Sequence, residues 1–286
     1  MKNCLILLAT VTILVNLPGL SQAQNSAIFS RKVGQYVVTT LTESRGQGNK
    51  ALLIGATAEI LERYAPDGTF PNAIHAYLVQ SQGRNVLIDA GMGKLISNLE
   101  AGKLKPEQID GILLTHCHGD HIGGMMKNET AVFPNAHVYL SQKEYDYWTT
   151  AARGEQARKV FEAYKGRIHI FEPATLGGSA DPIIPGLKAY AAYGHTPGHI
   201  AYLLESGAEK LLIWGDLTHA MAVQMPCPQV ALTYDVDPAE AIKSRKEVLE
   251  YVVRHSLPVA GMHIPLNGMG KVENDPSTGG YRFTGF

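Results

Sequence analysis

The sequence predicts an α/β fold, in the form of a four-layer αββα sandwich. Stretches with the apolar pattern of strands alternate with stretches that have the spacing of amphipathic helices. Histidine and aspartate residues recur where apolar strands end, which places the candidate functional groups along one edge of the layers. The chain has 286 residues, 45% of them hydrophobic. A chain of this size can bury one large core, so we expect a single domain.

The first 23 residues have the pattern of a targeting segment. Lys2 gives a positive start, the apolar stretch 4–15 is too short for a membrane span, and Ser-Gln-Ala at 21–23 is a small-x-small cleavage site. We therefore expect a cleaved signal peptide at residues 1–23 and one mature domain at 24–286, secreted or periplasmic and without a stable membrane anchor. An uncleaved anchor is the alternative.

The early part of the mature chain predicts three strands and a segment that covers the site. The strands are expected at Val33–Leu41, Ala76–Val79 and Asn85–Asp89, the last two joined by a turn. Residues 43–72 combine glycine turns, an apolar patch and a helix at Ala56–Tyr64. We expect this segment to be a flap that recognises an acyl chain or an aromatic leaving group; an ordinary packing segment is the alternative.

The most informative pattern is the run Thr115-His116-Cys117-His118-Gly119-Asp120-His121, which follows an apolar strand. Imidazole is a common ligand of zinc, and aspartate adds a harder oxygen ligand. Because glycine lets the backbone turn sharply, His116 and His118 could reach one ion while Asp120 and His121 face another. A chance cluster in a solvated loop is the alternative.

Four ligands from one loop cannot complete two metal sites, so this hypothesis predicts further ligands at the ends of later strands. The chain supplies them. His195 and His199 follow one apolar stretch, Asp216 ends a second, and His263 ends a third.

Three helices are expected in the later chain. The clearest begins after Asp237, which can cap Pro238 at the first helical position, with Glu240 completing a capping box. Apolar residues then recur on one face, as in a helix that covers a sheet. The other two helices are expected at Gln142–Tyr147 and near Gln156–Tyr164.

These segments together resemble the metallo-β-lactamase-fold hydrolases, whose signature is His-x-His-x-Asp-His, then a Gly-His, a strand-terminal Asp and a late His. The resemblance implies that fold and two divalent metal ions, for which we expect zinc. It implies that His116, His118 and His195 hold one ion, that Asp120, His121 and His263 hold the other, and that Asp216 bridges them. His199 is then a supporting or packing residue.

Such a metal pair implies hydrolysis by a bridging hydroxide. Two cations a few ångströms apart lower the pKa of a shared water and polarise the carbonyl or phosphoryl oxygen under attack. Asp120 would orient the hydroxide and pass a proton to the leaving group. In relatives, the Asp-x-Gly that here begins at Asp89 supports the metal site; an aspartate that opens a turn is the alternative.

A closer resemblance concerns residues 215–224, 234–245 and 263–283. They look like the branch that contains methyl parathion hydrolase and N-acyl-homoserine lactonases, which implies a lactone, ester or phosphotriester substrate. His219 is a candidate for contacting the leaving side of the substrate, or for holding its loop.

Two rival functions share parts of the pattern. Exported metallo-β-lactamases carry the first motif, but the resemblance implies Cys or Ser in them near the position of Asp216. Di-iron redox proteins of the same fold use an acidic ligand where His118 stands. Both differences favour the hydrolase.

Charge and cysteine content limit the partners. The net charge is −1, from 25 Lys and Arg against 26 Asp and Glu, so nucleic acid is not an expected partner. A small-molecule substrate is expected, and a homodimer is one option for the assembly. Cys117 and Cys227 remain after cleavage, and we expect no disulfide between them.

Overall fold

The computed structural model describes residues 28–81 and 83–286. The expected signal peptide, its cleavage site and Gln82 in the expected turn lie outside the described residues. Within the described part, no helix combines the length and the apolar character that crossing a membrane requires.

The described residues form eighteen strands, arranged mainly in two large sheets. In chain order they are β1 Ile28–Val33, β2 Tyr36–Asn49, β3 Leu53–Ile54, β4 Thr69–Ser81, β5 Arg84–Ile88, β6 Gly111–Leu113, β7 Met126–Lys127, β8 Thr130–Ala131, β9 His137–Ser141, β10 Ile168–Phe171, β11 Pro182–Ile184, β12 Leu187–Ala191, β13 Ile200–Ser206, β14 Glu209–Ile213, β15 Ala231–Leu232, β16 Pro258–Ala260, β17 Met269–Asp275 and β18 Gly280–Gly285. The first sheet has the order β1-β2-β4-β5-β6-β9-β10 and the second the order β11-β12-β13-β14-β16-β17-β18. Each half of the described chain therefore builds one sheet.

In the part of the chain that the structure describes, seven α-helices connect and cover the strands. They are α1 Ala58–Tyr64, α2 Leu95–Ala101, α3 Gly119–Ile122, α4 Gln142–Thr150, α5 Glu155–Ala163, α6 Met221–Gln224 and α7 Pro238–Arg254. Parallel pairing joins β5 to β6, β6 to β9, β9 to β10, and β14 to β16, so these connections cross from one end of a strand to the other.

Alternate residues of the central strands separate the protein into four layers. Ile88 of β5 and Ile213 of β14 belong to the same apolar cluster, which lies between the two sheets. Leu87 instead packs in a cluster with α2, α4 and α5, and Leu212 packs in a cluster with α7. Because side chains of a strand alternate between its faces, this pattern gives helix, sheet, sheet and helix. The predicted αββα sandwich is confirmed.

The predicted helices are present with small differences at their ends. The expected helix at Gln142–Tyr147 continues to Thr150, and that near Gln156–Tyr164 runs from Glu155 to Ala163. Helix α7 begins as expected, because Asp237 accepts a hydrogen bond from the backbone N–H of Glu240 (3.0 Å) and proline follows the cap. The carboxylate of Glu240 accepts from Lys243 (3.1 Å) rather than closing a capping box.

The first predicted strand is wrong at both ends. Gly34 has a φ of 57° and turns the chain between β1 and β2, so that Val33 ends one strand and the next begins at Tyr36. Ser206 packs against the turn, and a Cβ on Gly34 would lie 2.1 Å from the Ser206 hydroxyl oxygen. Glycine is required there by both the backbone conformation and the space.

Residues 43–72, which we call the arm, are more regular than expected. The second half of β2 pairs with the first half of β4, so that Gly48 faces Phe70, and α1 follows a short 3-10 turn. Phe70 packs in a separate apolar cluster with Val223 and Val230. The arm therefore lies against the segment that follows Asp216.

Candidate metal centre

The seven predicted ligands meet at one edge of the sandwich. His116 and His118 follow β6, and Asp120 and His121 belong to the short helix α3. The remaining three come from the second sheet and follow its strands: His195 after β12, Asp216 after β14 and His263 after β16. Both sheets thus contribute, because the ends of their central strands lie at the same edge.

Three imidazoles and a carboxylate form the first cluster. His118 Nδ1 lies 3.0 Å from His116 Nε2 and 2.9 Å from His195 Nε2. Asp216 Oδ2 lies 3.3 Å from His195 Nε2. The four ligand atoms are all within 4.8 Å of one another. Nitrogen lone pairs converging in this way fit a bound cation.

The second cluster has two imidazoles and two carboxylates, and shares Asp216 with the first. Asp216 Oδ1 lies 3.2 Å from His121 Nε2, and its Oδ2 lies 3.0 Å from His263 Nε2. Asp120 Oδ2 completes the group at 3.4 Å from His263 Nε2. Among the described residues, His121 Nε2 and Asp216 Oδ1 are buried and have no hydrogen-bond partner. A cation between the ligands would satisfy both atoms, so the residues present fit a pair of metal ions.

Hydrogen bonds behind the ligands orient the imidazoles. His121 Nδ1 lies 2.7 Å from Asp89 Oδ2, and His195 Nδ1 lies 2.9 Å from Asp235 Oδ1. His263 Nδ1 lies 2.7 Å from the carbonyl oxygen of Ala73. Each contact fixes a ring so that its other nitrogen faces the cluster.

Asp89 also holds the loop that precedes the first motif. Its two carboxylate oxygens accept hydrogen bonds from the backbone N–H and the hydroxyl of Thr115, each at 2.7 Å. Asp89 has a φ of 58°, a conformation that aspartate tolerates better than most residues. It therefore both ends its strand in a turn and supports the site.

His199 stands behind the bridging carboxylate rather than among the ligands. Its Nε2 accepts a hydrogen bond from the backbone N–H of Asp216 (2.9 Å), and its Nδ1 donates to the carbonyl oxygen of Ala192 (2.8 Å). Burial lowers the pKa of His199 to about 3, so the neutral ring that this bonding requires is present at neutral pH.

His219 lies at the edge of the centre. Its Nε2 is 3.0 Å from Asp216 Oδ2, and its ring stacks on that of His263 with 4.3 Å between centroids. Burial, followed by the charge of His263, lowers the pKa of His219 to about 4. The ring is therefore neutral at pH 7 and carries one N–H.

The charges of the metal-free centre are strongly coupled. Burial alone would raise the pKa of Asp216, but the surrounding imidazoles, His121 first, hold it well below its usual range. Burial likewise lowers the pKa of His263, yet the carboxylates of Asp216 and Asp120 raise it to about 10. The added proton on His263 thus balances carboxylate charge that a bound cation would otherwise balance.

A cavity of about 840 Å³ opens over the centre. The arm forms one wall of it, including Arg45 and Asn72, and Arg153 lines another side. Its apolar lining includes Leu52, Phe70, Ile74, Met92, Leu232 and Tyr234. The cavity is therefore large enough for a small organic substrate and has an apolar side.

Two carboxylates that contact the site were not among the predicted site residues. Asp235 lies in the family-like segment 234–245, two residues before the cap of α7, and Glu144 lies within the predicted helix Gln142–Tyr147. Both are buried, and burial is what could have singled them out.

Cys117 and Cys227 are free and buried, and Cys117 packs in the apolar core.

Comparison with known proteins agrees with this geometry. Residues 69–255, more than half of the chain, match the metallo-beta-lactamase superfamily. The chain belongs to that superfamily. A probable metallo-hydrolase of Bacillus subtilis, YybB, is 31% identical over 147 residues, which are 50% of this chain and 61% of the relative. The chain thus spans about three fifths of the length of this curated relative.

Solved structures resemble nearly the whole chain. AbOPH, a hydrolase of the beta-lactamase superfamily, has a TM-score of 0.79 and 29% identity, over 91% of this chain and 98% of its own. AidC, a dizinc quorum-quenching lactonase, has a TM-score of 0.77 and 24% identity, over 91% of this chain and 97% of its own. The predicted family is confirmed, and the chain carries a metallo-beta-lactamase superfamily domain with a potential metal site.

Proposed function

We propose that this protein is an exported dinuclear metal-dependent hydrolase that opens lactones or esters of the acyl-homoserine-lactone type, or cleaves phosphotriesters. The observation that carries the proposal is the sharing of Asp216 by two complete ligand clusters. A carboxylate between two sets of imidazoles is the arrangement that holds two cations a few ångströms apart.

The first ion would be held by His116, His118 and His195, and the second by Asp120, His121 and His263, with Asp216 between them. Five imidazoles and two carboxylates suit zinc, which is the metal we propose. When bound, the two ions would activate a shared water and polarise the oxygen of the substrate.

Asp120 and His219 are the proposed catalytic residues. The Asp120 side chain is 27% exposed and lines the cavity, whereas Asp216 is buried. Burial would raise the pKa of Asp120, but the charges of His121 and His263 hold it well below its usual range, so it is ionised and can accept a hydrogen bond from the attacking water. We assign it the orientation of that water and the passing of a proton to the leaving group. His219 lines the cavity beside Asp216, where its ring can contact the leaving side of the substrate.

The cavity supports a substrate with an apolar part. Phe70 and Leu52 of the arm lie on the same cavity as Leu232 and Tyr234. We propose that the arm receives an acyl chain or an aryl leaving group. The fold shared with AidC, a quorum-quenching lactonase, supports an acyl chain as this part of the substrate.

Location and partners belong to the same proposal. The sequence pattern of residues 1–23 supports export by a cleaved signal peptide, with no membrane anchor in the mature protein. The proposed partner is a small-molecule substrate rather than nucleic acid, and a homodimer is the assembly to be tested.

A substrate panel tests the proposal. Hydrolysis rates would be measured for acyl-homoserine lactones, aryl esters, a phosphotriester and a cephalosporin, with protein loaded with Zn, Mn or Co. We expect the lactones, esters or phosphotriester to be hydrolysed fastest, with two metal ions per chain by elemental analysis. Dominant cephalosporin turnover, or protein that takes up no transition metal, would overturn the proposal.

The Asp120→Asn variant tests the assigned proton transfer. The amide keeps the shape of the side chain but cannot accept the proton, so we expect kcat to fall by about 100-fold. Removal of metal by a chelator and its restoration provide the control. Full activity of the variant would remove the assigned role.

A further inference from the structure

Glu144 is a buried carboxylate that the proposed reaction does not use. It lies in the first turn of α4 and is 1% exposed. Its Oε1 accepts hydrogen bonds from the backbone N–H of Cys117 (2.8 Å) and the indole N–H of Trp148 (2.5 Å). Its Oε2 accepts from the hydroxyl of Thr196 (2.7 Å) and the backbone N–H of Gly198 (3.1 Å). Four donors thus surround one side chain.

These donors come from both loops that carry the imidazoles of the first cluster. Cys117 lies between His116 and His118, and Thr196 directly follows His195. The Glu144 carboxylate therefore connects the first motif, which follows β6, to the loop after β12 in the other sheet.

The approach of α4 to the second loop is very close. Ser141, the cap of α4, donates from its hydroxyl to the carbonyl oxygen of Gly198 (2.6 Å). A Cβ on Gly198 would stand 2.1 Å from the backbone nitrogen of Glu144. The start of the helix and the loop are thus locked together by two side chains and by direct backbone contact.

Trp148 adds a contact with a ligand itself. Its ring meets that of His118 edge to face, with 5.4 Å between centroids and 81° between planes. Since the same indole donates to Glu144, the carboxylate also fixes the surface against which His118 rests.

The second cluster is supported by other residues. His121 is held by Asp89, and His263 by the carbonyl oxygen of Ala73. None of the four hydrogen bonds of Glu144 described above involves Asp89, His121, Ala73 or His263.

We propose that Glu144 is a positioning residue for the first metal ion: it holds His116, His118 and His195 in register by binding both of their loops. The inference rests on the dinuclear centre of the proposed function. Its effect falls on the affinity of the first site and leaves the second site unchanged. The four donors come from separate segments, and only a carboxylate, with two accepting oxygens and no donor, binds both ligand loops at once.

Metal titration of the Glu144→Gln variant tests the inference. An amide accepts at one end only, so its NH₂ group must face donors of one of the two loops, and that loop is released. We expect the first site to bind zinc about 10- to 100-fold more weakly, with the second site unchanged. Zinc titrations against a competing chelator give the two constants. Cobalt absorption spectra assign them, because one site has three nitrogen ligands and the other has two.

The matched control is Asp146→Asn, the same chemical change on the exposed face of the same helix. We expect it to bind both ions as the unaltered protein does. Unchanged constants in Glu144→Gln, or equal weakening of both sites, would overturn the inference, since equal weakening indicates a general loss of structure.

A second variant covers a failure of Glu144→Gln to fold, judged by circular dichroism. Thr196→Val keeps the shape of the side chain and removes one of the four donors, so we expect a smaller loss, about 3- to 10-fold, at the first site only. No change at that site would overturn the inference. These measurements need no substrate. The inference can therefore fail while hydrolysis is confirmed, and it can hold when no substrate of the panel is hydrolysed.

Discussion

The two metal clusters meet the same requirement in different ways. In the second cluster, Asp89 binds the ring of a ligand, His121, directly. In the first cluster, Glu144 binds the backbone and side chains next to the ligands, while Asp235 and Trp148 contact ligand rings. Imidazoles can therefore be held either by a partner of the ring or by a residue that binds their loops. Neither kind of support adjoins its ligands in sequence: Asp89 lies 32 residues from His121, and Glu144 lies 27 residues from Cys117.

Replacing the residue that both clusters share should have the largest effect. In Asp216→Ala both sites lose a ligand at once, so we expect fewer than one bound metal ion per chain. Hydrolysis should fall at least about 1000-fold, since several kcal/mol of transition-state stabilisation depend on the metal pair. Elemental analysis and steady-state rates measure these effects. A variant that keeps two ions would contradict the shared role and remove the basis of the comparison.

Asp89→Asn should weaken zinc binding mainly at the second site, as Glu144→Gln should weaken it at the first. The amide keeps the shape of the side chain, and asparagine tolerates the positive φ at this position. It loses one acceptor for His121 and Thr115, so the second site should bind zinc about 10- to 100-fold more weakly. The first site should weaken less, because Asp89 reaches it only through Thr115, which precedes His116. Chelator-competed titration gives both constants. Weakening of the first site instead would show that the two supports are not separate.

The two sites should also differ in their response to pH. In the metal-free protein, neighbouring carboxylates overcome burial and raise the pKa values of His121 and His263 in the second cluster, and of His195 in the first. Metal binding requires imidazoles that have lost this added proton, and more of the affected rings belong to the second site. We therefore expect zinc affinity to fall more steeply on acidification at the second site than at the first. Titrations at pH 6, 7 and 8 measure the slopes, and equal slopes would contradict this assignment.

Protonation of these imidazoles weakens metal binding but stabilises the metal-free fold. Because the folded-state pKa of His263 is raised to about 10 from an ordinary 6.5, its contribution to stability is complete below pH 6.5 and is lost as pH rises toward 10. Urea unfolding of chelated protein at pH 6.5, 8 and 9.5 should give decreasing free energies of unfolding. Stability that rises over this interval would contradict the raised pKa.

The smallest effect is expected at the rim of the cavity, at Tyr234, which contacts neither Asp89 nor Glu144 in the hydrogen bonds described above. Tyr234 is 48% exposed and lines the cavity, with its ring 6.2 Å from that of His219. In Tyr234→Ala the loss of apolar contact should raise KM for an acyl or aryl substrate about fivefold, with unchanged metal content. Tyr234→Phe is the control, and should keep a KM close to that of the unaltered protein. A loss of metal in the alanine variant would mean that the rim supports the centre after all.

Much of the fold could be predicted because its signals are local. The cap at Asp237 and the amphipathic pattern after it define α7, and apolar runs mark β5 and β14. The extension of β2 and β4 into the arm could not be predicted. Its glycines indicate turns by propensity, but pairing between Gly48 and Phe70 makes them part of a ladder.

The sequence by itself determined the family, the sandwich and the seven candidate ligands, because a dense motif and strand-terminal polar residues are properties of short stretches of chain. Only the tertiary structure decided that His199 accepts from the backbone of Asp216, that Asp235 contacts His195, and that Glu144 joins two ligand loops. The physical reason is that a carboxylate gains such roles through burial and through donors supplied by other segments. The loops bound to Glu144 are 79 residues apart, from Cys117 to Thr196, and come from different sheets.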